Sequence, residues 1–189
     1  QNDHAGLLLG ALESLLTISI DDDPFASVFD SLRGVFAFDQ VMVLAEADAS
    51  RLSCIVAEPQ SLIGVDWPVG AFFRRVMGGR AATTVSNESL EEWQSVPPDL
   101  LSSRQPALYL PISVRDGRGV LVLLRNVGSE GFDRSHVTLG RKFALLASHA
   151  LAARFARDMI SSNAARALAA EEASEAKSLF IANFSHELR

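Results

Sequence analysis

Apolar residues recur with two different periods along the first 133 residues, and segments of the two kinds alternate. Residues 5–19 carry leucines three or four positions apart, which is the spacing of an amphipathic helix. Residues 25–36 and 69–77 share this period, and a glycine pair follows the second of them. A shorter helix is predicted over residues 89–94. Apolar runs and alternations predict strands over residues 41–47, 52–58, 83–85, 108–114 and 120–125.

Turn sequences join two pairs of these strands. Residues 48–50 and the glycine-rich residues 116–119 are typical of hairpin connections. Several strands are apolar on both faces, so both faces of their sheet need cover. Helices near the two ends of the chain can cover one face, and residues 59–106 can cover the other. The expected fold class is therefore α+β, with a central antiparallel sheet covered by helices.

Residues 134–189 have a different composition from the part that precedes them. They contain 14 alanines, no proline and no glycine after Gly140, and they carry a net charge of +3 against −9 before them. Because proline and glycine are the main helix breakers, one helix is predicted to begin near Asp133 or Ser135 and to continue to the end. At that length it would span roughly 80 Å, so we expect a long C-terminal coiled-coil helix. The predicted division is residues 1–155 and 156–189.

Charge and cysteine content exclude several classes of protein. The chain of 189 residues has a formal net charge of −6, which argues against a nucleic-acid-binding protein. Its one cysteine, Cys54, excludes an internal disulfide and any multi-cysteine site, and no metal site is expected. No apolar run approaches the roughly 18 residues of a membrane span. We expect a cytoplasmic segment, cut from a longer protein that could be anchored in a membrane upstream.

The order of elements over residues 5–155 resembles a GAF domain. The stretches that carry the resemblance are residues 35–41, 69–80, 107–112 and 132–133. A PAS-like sensor is the alternative, but the leading helix and the strand followed by a helical lid favour GAF. The resemblance implies a sensor domain with a pocket for a small molecule of unknown identity.

Aromatic residues supply the candidate lining of that pocket. They lie in the segment that covers the sheet and on the strand face opposite it, and they are Trp67, Phe72, Phe73, Trp93 and Tyr109. Ligand pockets are mostly apolar with a few polar groups, which suits this collection. The alternative is a filled aromatic core without a ligand.

Residues 180–189, Phe-Ile-Ala-Asn-Phe-Ser-His-Glu-Leu-Arg, resemble the H-box of sensor histidine kinases, which continues with Thr-Pro-Leu. The resemblance implies that His186 is the phosphoacceptor. A neutral imidazole with one free nitrogen can attack a γ-phosphoryl group, and Glu187 can orient it or take its proton. Ile181, Phe184 and Leu188 have heptad spacing and form a predicted seam for a partner helix, while His186 lies off that seam.

These resemblances together imply the sensory input fragment of a two-component sensor histidine kinase. Its expected partners are a second copy, through the C-terminal helix, and a downstream response regulator. The full-length kinase would need ATP and Mg, but this fragment lacks the ATP-binding domain, so we expect no cofactor and no activity of the fragment alone. Two alternatives remain open: a ligandless GAF module that dimerises and relays a signal, and a GAF enzyme that modifies a small molecule, which only Cys54 supports.

Overall fold

The computed structural model describes residues 6, 9, 10, 13 and 23–187 of the chain. Of the helix predicted over residues 5–19, only residues 6, 9, 10 and 13 are described, and these four are helical. The rest of that prediction lies outside the described residues. The chain divides into two units, Gln1–Ala152 and Ala153–Arg189. In chain order the helices are α1 (Pro24–Val35), α2 (Ala71–Met77) and α3 (Arg134–Glu187), with short 3-10 helices at Gln60–Leu62 and Glu91–Trp93. The strands are β1 (Gln40–Asp48), β2 (Arg51–Glu58), β3 (Asp66–Pro68), β4 (Ala82–Thr84), β5 (Ala107–Val114) and β6 (Gly117–Leu124).

A sheet of six antiparallel strands in the order β3-β2-β1-β6-β5-β4 forms the centre of the first unit. The two predicted hairpins, β1–β2 and β5–β6, are both present, and β1 pairs with β6 to join them. This arrangement confirms the α+β class with a central antiparallel sheet. β3 and the first 3-10 helix were not predicted, because three residues are too few to show a period.

The turn between β5 and β6 differs from its prediction. Gly117 and Gly119 belong to β6, and the chain reverses at Arg115, whose φ of 55° lies in the left-handed region, and Asp116. A Cβ atom on Gly119 would lie 2.4 Å from the carbonyl oxygen of Leu44 in β1. This glycine is therefore required by the close approach of two strands and not by the turn.

Both faces of the sheet are covered, as the two-sided apolar strands predict. The first part of α3 covers one face so closely that a Cβ on Gly140 would lie 2.6 Å from Cδ2 of Leu110. Phe143 and Ala147, further along this part of α3, are completely buried. On the other face, the segment between β2 and β5 contributes α2 and the 3-10 helix Glu91–Trp93 to one apolar cluster with the sheet.

β5 is paired on its outer side over only part of its length. β4 pairs with Ala107–Tyr109, and beyond Tyr109 no described strand continues the sheet. Pro111 has no N–H group to offer there, and the N–H of Ser113 donates to the Ser148 hydroxyl of α3 at 3.0 Å. This edge is consequently protected against pairing with another strand.

A single helix, α3, continues from Arg134 to Glu187, as the absence of breakers predicts. Asp133 caps its N-terminus, because its Oδ1 accepts hydrogen bonds from the backbone N–H groups of Ser135 (2.8 Å) and His136 (3.0 Å). In return, Nδ1 of His136 accepts the N–H of Asp133 at 3.0 Å. No helix of the described residues is long and apolar enough to cross a membrane. Pairing of α3 as a coiled coil stays a prediction.

Candidate functional site

The five aromatic residues predicted to line a pocket lie together on one face of the sheet. Trp67 lies on β3, Phe72 and Phe73 on α2, Trp93 in the second 3-10 helix and Tyr109 on β5. The ring centroids of Trp67 and Trp93 are 5.2 Å apart and nearly perpendicular, and those of Phe72 and Tyr109 are 4.8 Å apart. All except Phe72 are buried. The rings thus form one aromatic cluster whose members contact each other, and the ligand pocket stays a prediction.

A chain of buried hydrogen bonds fixes Tyr109 within the aromatic cluster. Nε1 of Trp93 donates to the Tyr109 hydroxyl at 2.7 Å, and that hydroxyl donates to Oδ1 of Asn87 at 2.6 Å. Nδ2 of Asn87, itself completely buried, donates to the carbonyl oxygen of Gln105 at 2.8 Å. Burial raises the pKa of the Tyr109 hydroxyl above its usual range. Tyr109 therefore stays protonated and acts as a donor.

Two consecutive carboxylates hold the start of α2. Glu91 accepts the N–H of Ala71 at 3.1 Å, and Glu92 accepts the N–H of Phe73 at 2.9 Å. Glu92 is only 1% exposed, and its Oε2 has no hydrogen-bond partner among the described residues. Nε1 of Trp67 is also buried and has no hydrogen-bond partner among the described residues. Buried polar atoms ordinarily have a hydrogen-bond partner, and this acceptor and this donor have none in the part of the chain that the structure describes.

The sequence interpretation missed Asn87 and Glu92. Neither belongs to an element with a clear period, and a polar residue in a loop is ordinarily exposed. Their burial follows from the way the segment folds over the sheet. The one available sign was the crowding of aromatic residues around them, since a buried Trp or Tyr needs a polar partner.

Cys54 has no feature of a reactive thiol. It is 1% exposed on β2, and its Sγ contacts the carbonyl oxygen of Val56 at 3.6 Å. Burial raises the pKa of this thiol to about 12, so it stays protonated at neutral pH. No group of three or more His, Cys, Asp or Glu side chains that could hold a metal ion occurs in the described part of the chain.

The predicted phosphoacceptor segment lies in the second unit. His186 and Glu187 are the last described residues of α3, and both are exposed. Phe180 and Phe184 stack one helical turn apart, with centroids 6.2 Å apart. Leu188, predicted as part of the heptad seam, lies outside the described residues.

Every residue from 156 to 187 is exposed in the single chain. This includes large apolar side chains that a water-soluble helix would ordinarily bury, namely Met159, Ile160, Leu168, Leu179, Phe180, Ile181 and Phe184. The second unit therefore offers apolar surface that its own chain does not cover.

Comparison with solved structures gives the fold of the chain. A GAF domain of a phosphoenolpyruvate-protein phosphotransferase from Coxiella burnetii superimposes with a TM-score of 0.61 at 15% identity, covering 85% of this chain and 96% of that one. The phycocyanobilin-bound GAF domain of a cyanobacterial phytochrome gives 0.59 at 13% identity, covering 82% and 96%. The GAF-B domain of DevS from Mycobacterium smegmatis gives 0.50 at 17% identity, covering 83% and 98%.

The fold is that of a GAF domain. No protein-family model matches the sequence, and no curated protein matches it either. The sequence identities are low, so the likeness extends to the GAF fold and not to a particular ligand. The prediction of a GAF-like fold from the order of elements is confirmed.

Proposed function

We propose that this chain is the sensory input part of a two-component sensor histidine kinase. A signal received by the GAF fold is relayed along α3 to His186, which accepts a phosphoryl group from ATP. The observation that carries the proposal is the run of ten residues, 180–189, that fits the H-box. The helical conformation of residues 180–187 and the exposure of His186 support it.

The chemistry requires a neutral imidazole with one unprotonated nitrogen. That nitrogen forms a bond to the γ-phosphorus as the bond to the bridging oxygen breaks and ADP leaves. The ring's N–H proton passes to the carboxylate of Glu187, which can also hold the ring in position. ATP and Mg are bound by a separate catalytic domain, and a response regulator then takes the phosphoryl group.

A homodimer through α3 is part of the proposal. Residues 156–187 bury no side chain within the single chain, and a helix of this kind gains little stability unless a partner covers its apolar positions. Ile181 is 53% and Phe184 is 56% exposed, and they have the heptad spacing that such a partner needs.

The GAF fold supports a role in signalling. Solved GAF domains with similar structures come from a phytochrome and a phosphotransferase, and a methyl-accepting chemotaxis protein also has a similar structure. The unpartnered Oε2 of Glu92 and Nε1 of Trp67 support a small polar signal molecule at the aromatic cluster.

Autophosphorylation of the full-length kinase tests the proposal. His186→Gln should abolish the incorporation of acid-labile phosphate, while the protein still folds and dimerises, because the exposed side chain contributes little to stability. His149→Gln is the matched control, since His149 is another exposed histidine on the same helix, and it should leave labelling intact. Acid-labile phosphate on the His186→Gln protein would overturn the assignment.

A ligandless relay module is the second candidate, and the direct ring contacts within the aromatic cluster favour it. Native mass spectrometry of the chain separates the two. Mass in excess of the polypeptide supports a ligand-responsive domain, and the bare polypeptide mass supports the ligandless module. The third alternative, an enzyme acting through Cys54, is disfavoured by the buried, protonated thiol.

A further inference from the structure

A groove with a cavity volume of about 620 Å³ lies in the first unit, beside the part of β5 that β4 does not cover. Its apolar lining comes from three elements: Pro111 and Ile112 of β5, Met77 at the end of α2, and Leu145 of α3. Leu145 is 60% exposed, which is unusual for a leucine on the part of α3 that packs on the sheet. The groove therefore offers apolar surface to a molecule from outside.

The described residues that give this groove its charge are basic. Arg118, Arg141 and Lys142 carry its positive charge, His149 also lines it, and none of the acidic residues that the structure describes does. Arg118 is partly neutralised by Glu46, whose Oε1 lies 3.3 Å from its Nη2. Arg141 and Lys142 form no ion pair with any residue that the structure describes. Among the described residues, these two cations are thus uncompensated, in a chain whose net charge is −6.

The hydroxyl groups of the groove that come from α3 are already engaged. Thr138 donates to the carbonyl oxygen of Arg134 at 3.1 Å. Ser148 donates to the carbonyl oxygen of Ala144 at 2.7 Å while it accepts the N–H of Ser113. The charged donors left for an external molecule are those of Arg141 and Lys142, which favour a carboxylate or a phosphate.

The size and charge of the groove select among possible occupants. A volume of this order suits a small molecule. A second copy docked groove to groove would bring its own Arg141 and Lys142 against these cations, and no acidic residue of the described lining would lie between them. We propose that the groove binds a small amphiphilic anion, whose head contacts Arg141 and Lys142 and whose apolar chain lies on Leu145, Met77 and Ile112.

This inference goes beyond the proposed kinase role. The groove involves neither His186 nor the aromatic cluster, so either proposal can fail while the other stands. Seven of its lining residues, among them Arg141, Lys142 and Leu145, belong to α3. An anion bound there would contact the helix that leads towards His186.

Titration of the 189-residue chain followed by heteronuclear NMR tests the inference, with octanoate as the probe. Octanoate should shift the resonances of the groove residues in a saturable way. Octanol, which has the same chain without the charge, and acetate, which has the charge without the chain, should each bind at least tenfold more weakly. Added salt should weaken octanoate binding and leave octanol unaffected, because the head is held by exposed cations.

Variants test separately the cations that would contact the head of the anion and the apolar surface that would contact its chain. The double change Arg141→Gln and Lys142→Gln should weaken octanoate binding at least tenfold, and Leu145→Asn should weaken it severalfold. Arg157→Gln removes an exposed cation of the same helix outside the groove and should change nothing. Equal binding of octanol and octanoate would overturn the proposal, and so would a double variant that binds octanoate as tightly as the native chain. A dimer of the native chain that dissociates in the double variant would also overturn it, because the groove would then be an interface between two copies.

Discussion

Gly119 shows how much one missing carbon atom can matter in this sheet. β1 and β6 are the two central strands, and Gly119 of β6 lies opposite Ala45 at the end of their pairing. The carbonyl group of Leu44 occupies the place that a Cβ would take. Because this obstacle is backbone and not a movable side chain, the strands themselves would have to separate.

Gly119→Ala should therefore destabilise the domain by about 2 kcal/mol, the usual range for forcing a carbon into a packed interior. Gly34→Ala is the matched control, because Gly34 is in α1 and a Cβ added to it would meet nothing within 4 Å. Alanine favours helices, so this control should stabilise by about 0.5 kcal/mol. Chemical denaturation measures both, and equal stabilities of the two variants would contradict the steric argument.

Asp133 makes the start of α3 sensitive to acid. Hydrogen bonds from the Ser135 hydroxyl, and then from the His136 backbone N–H, lower the pKa of this carboxyl from 3.8 to about 2. A carboxyl whose pKa is lower in the folded chain stabilises the fold above its unfolded pKa. That stabilisation is lost as the pH falls from about 4 to about 2.

Asp133→Asn keeps a capping side chain but removes its titration. The melting temperature of the native chain should exceed that of the variant at neutral pH, and the difference should shrink between pH 4 and pH 2. Thermal melts followed by circular dichroism across this range measure the effect. A difference that does not vary with pH would show that the charge of Asp133 contributes nothing.

At the scale of elements, the sequence predicts what has a period and misses what depends on distant contacts. The hairpins and α3 follow from local patterns, and the structure contains them. The glycines predict a turn over residues 116–119, but the chain reverses at Arg115 and Asp116. Gly119 is required by the close approach of β1 and not by a turn. The aromatic residues of the predicted pocket contact one another, and the pocket itself stays a prediction. The sequence does not indicate the burial of Glu92 and Asn87, since only the folded segment buries them.

The continuity of α3 leads to a prediction about the full-length kinase, which rests on the proposed function. Neither proline nor glycine follows Gly140 in this helix, so inserted residues should change the phase of everything after them. Seven residues inserted between residues 164 and 176 preserve the heptad register, and regulation should survive. One or two residues rotate the seam by roughly 100° or 200° and should lock the kinase on or off.

Kinase assays on this insertion series, with and without the signal, measure the effect. The seven-residue insertion is the internal control, because it lengthens the helix most while it rotates the seam least. Activity that falls steadily with the number of inserted residues, or that ignores all of them, would contradict relay through a continuous helix.

At the scale of the whole molecule, the exposed apolar positions of residues 156–187 predict a homodimer whose population depends on concentration. Its predicted seam is weak upstream, where Ala167 and Ala170 bury little area and Lys177 interrupts it. Sedimentation equilibrium of the 189-residue chain should therefore show a reversible monomer–dimer equilibrium.

Ile181→Asn should shift this equilibrium towards monomer by at least tenfold in the dissociation constant. Leu168→Asn is the matched control: Leu168 is also an exposed apolar residue of α3, at 58%, but lies off the heptad seam, and its replacement should have little effect. A native chain that remains monomeric at high concentration, with its helix intact, would rule out dimerisation through α3.

The perpendicular packing of Trp67 and Trp93 also determines which events the intrinsic fluorescence of this protein can detect. They are the two tryptophans of the sequence, and Trp93 donates a hydrogen bond to Tyr109, the one tyrosine. Intrinsic fluorescence is therefore confined to the aromatic cluster, with energy transfer between rings only 5.2 Å apart. Emission will follow unfolding or ligand entry there with little background. It will be blind to events around His186, where an attached fluorophore is required.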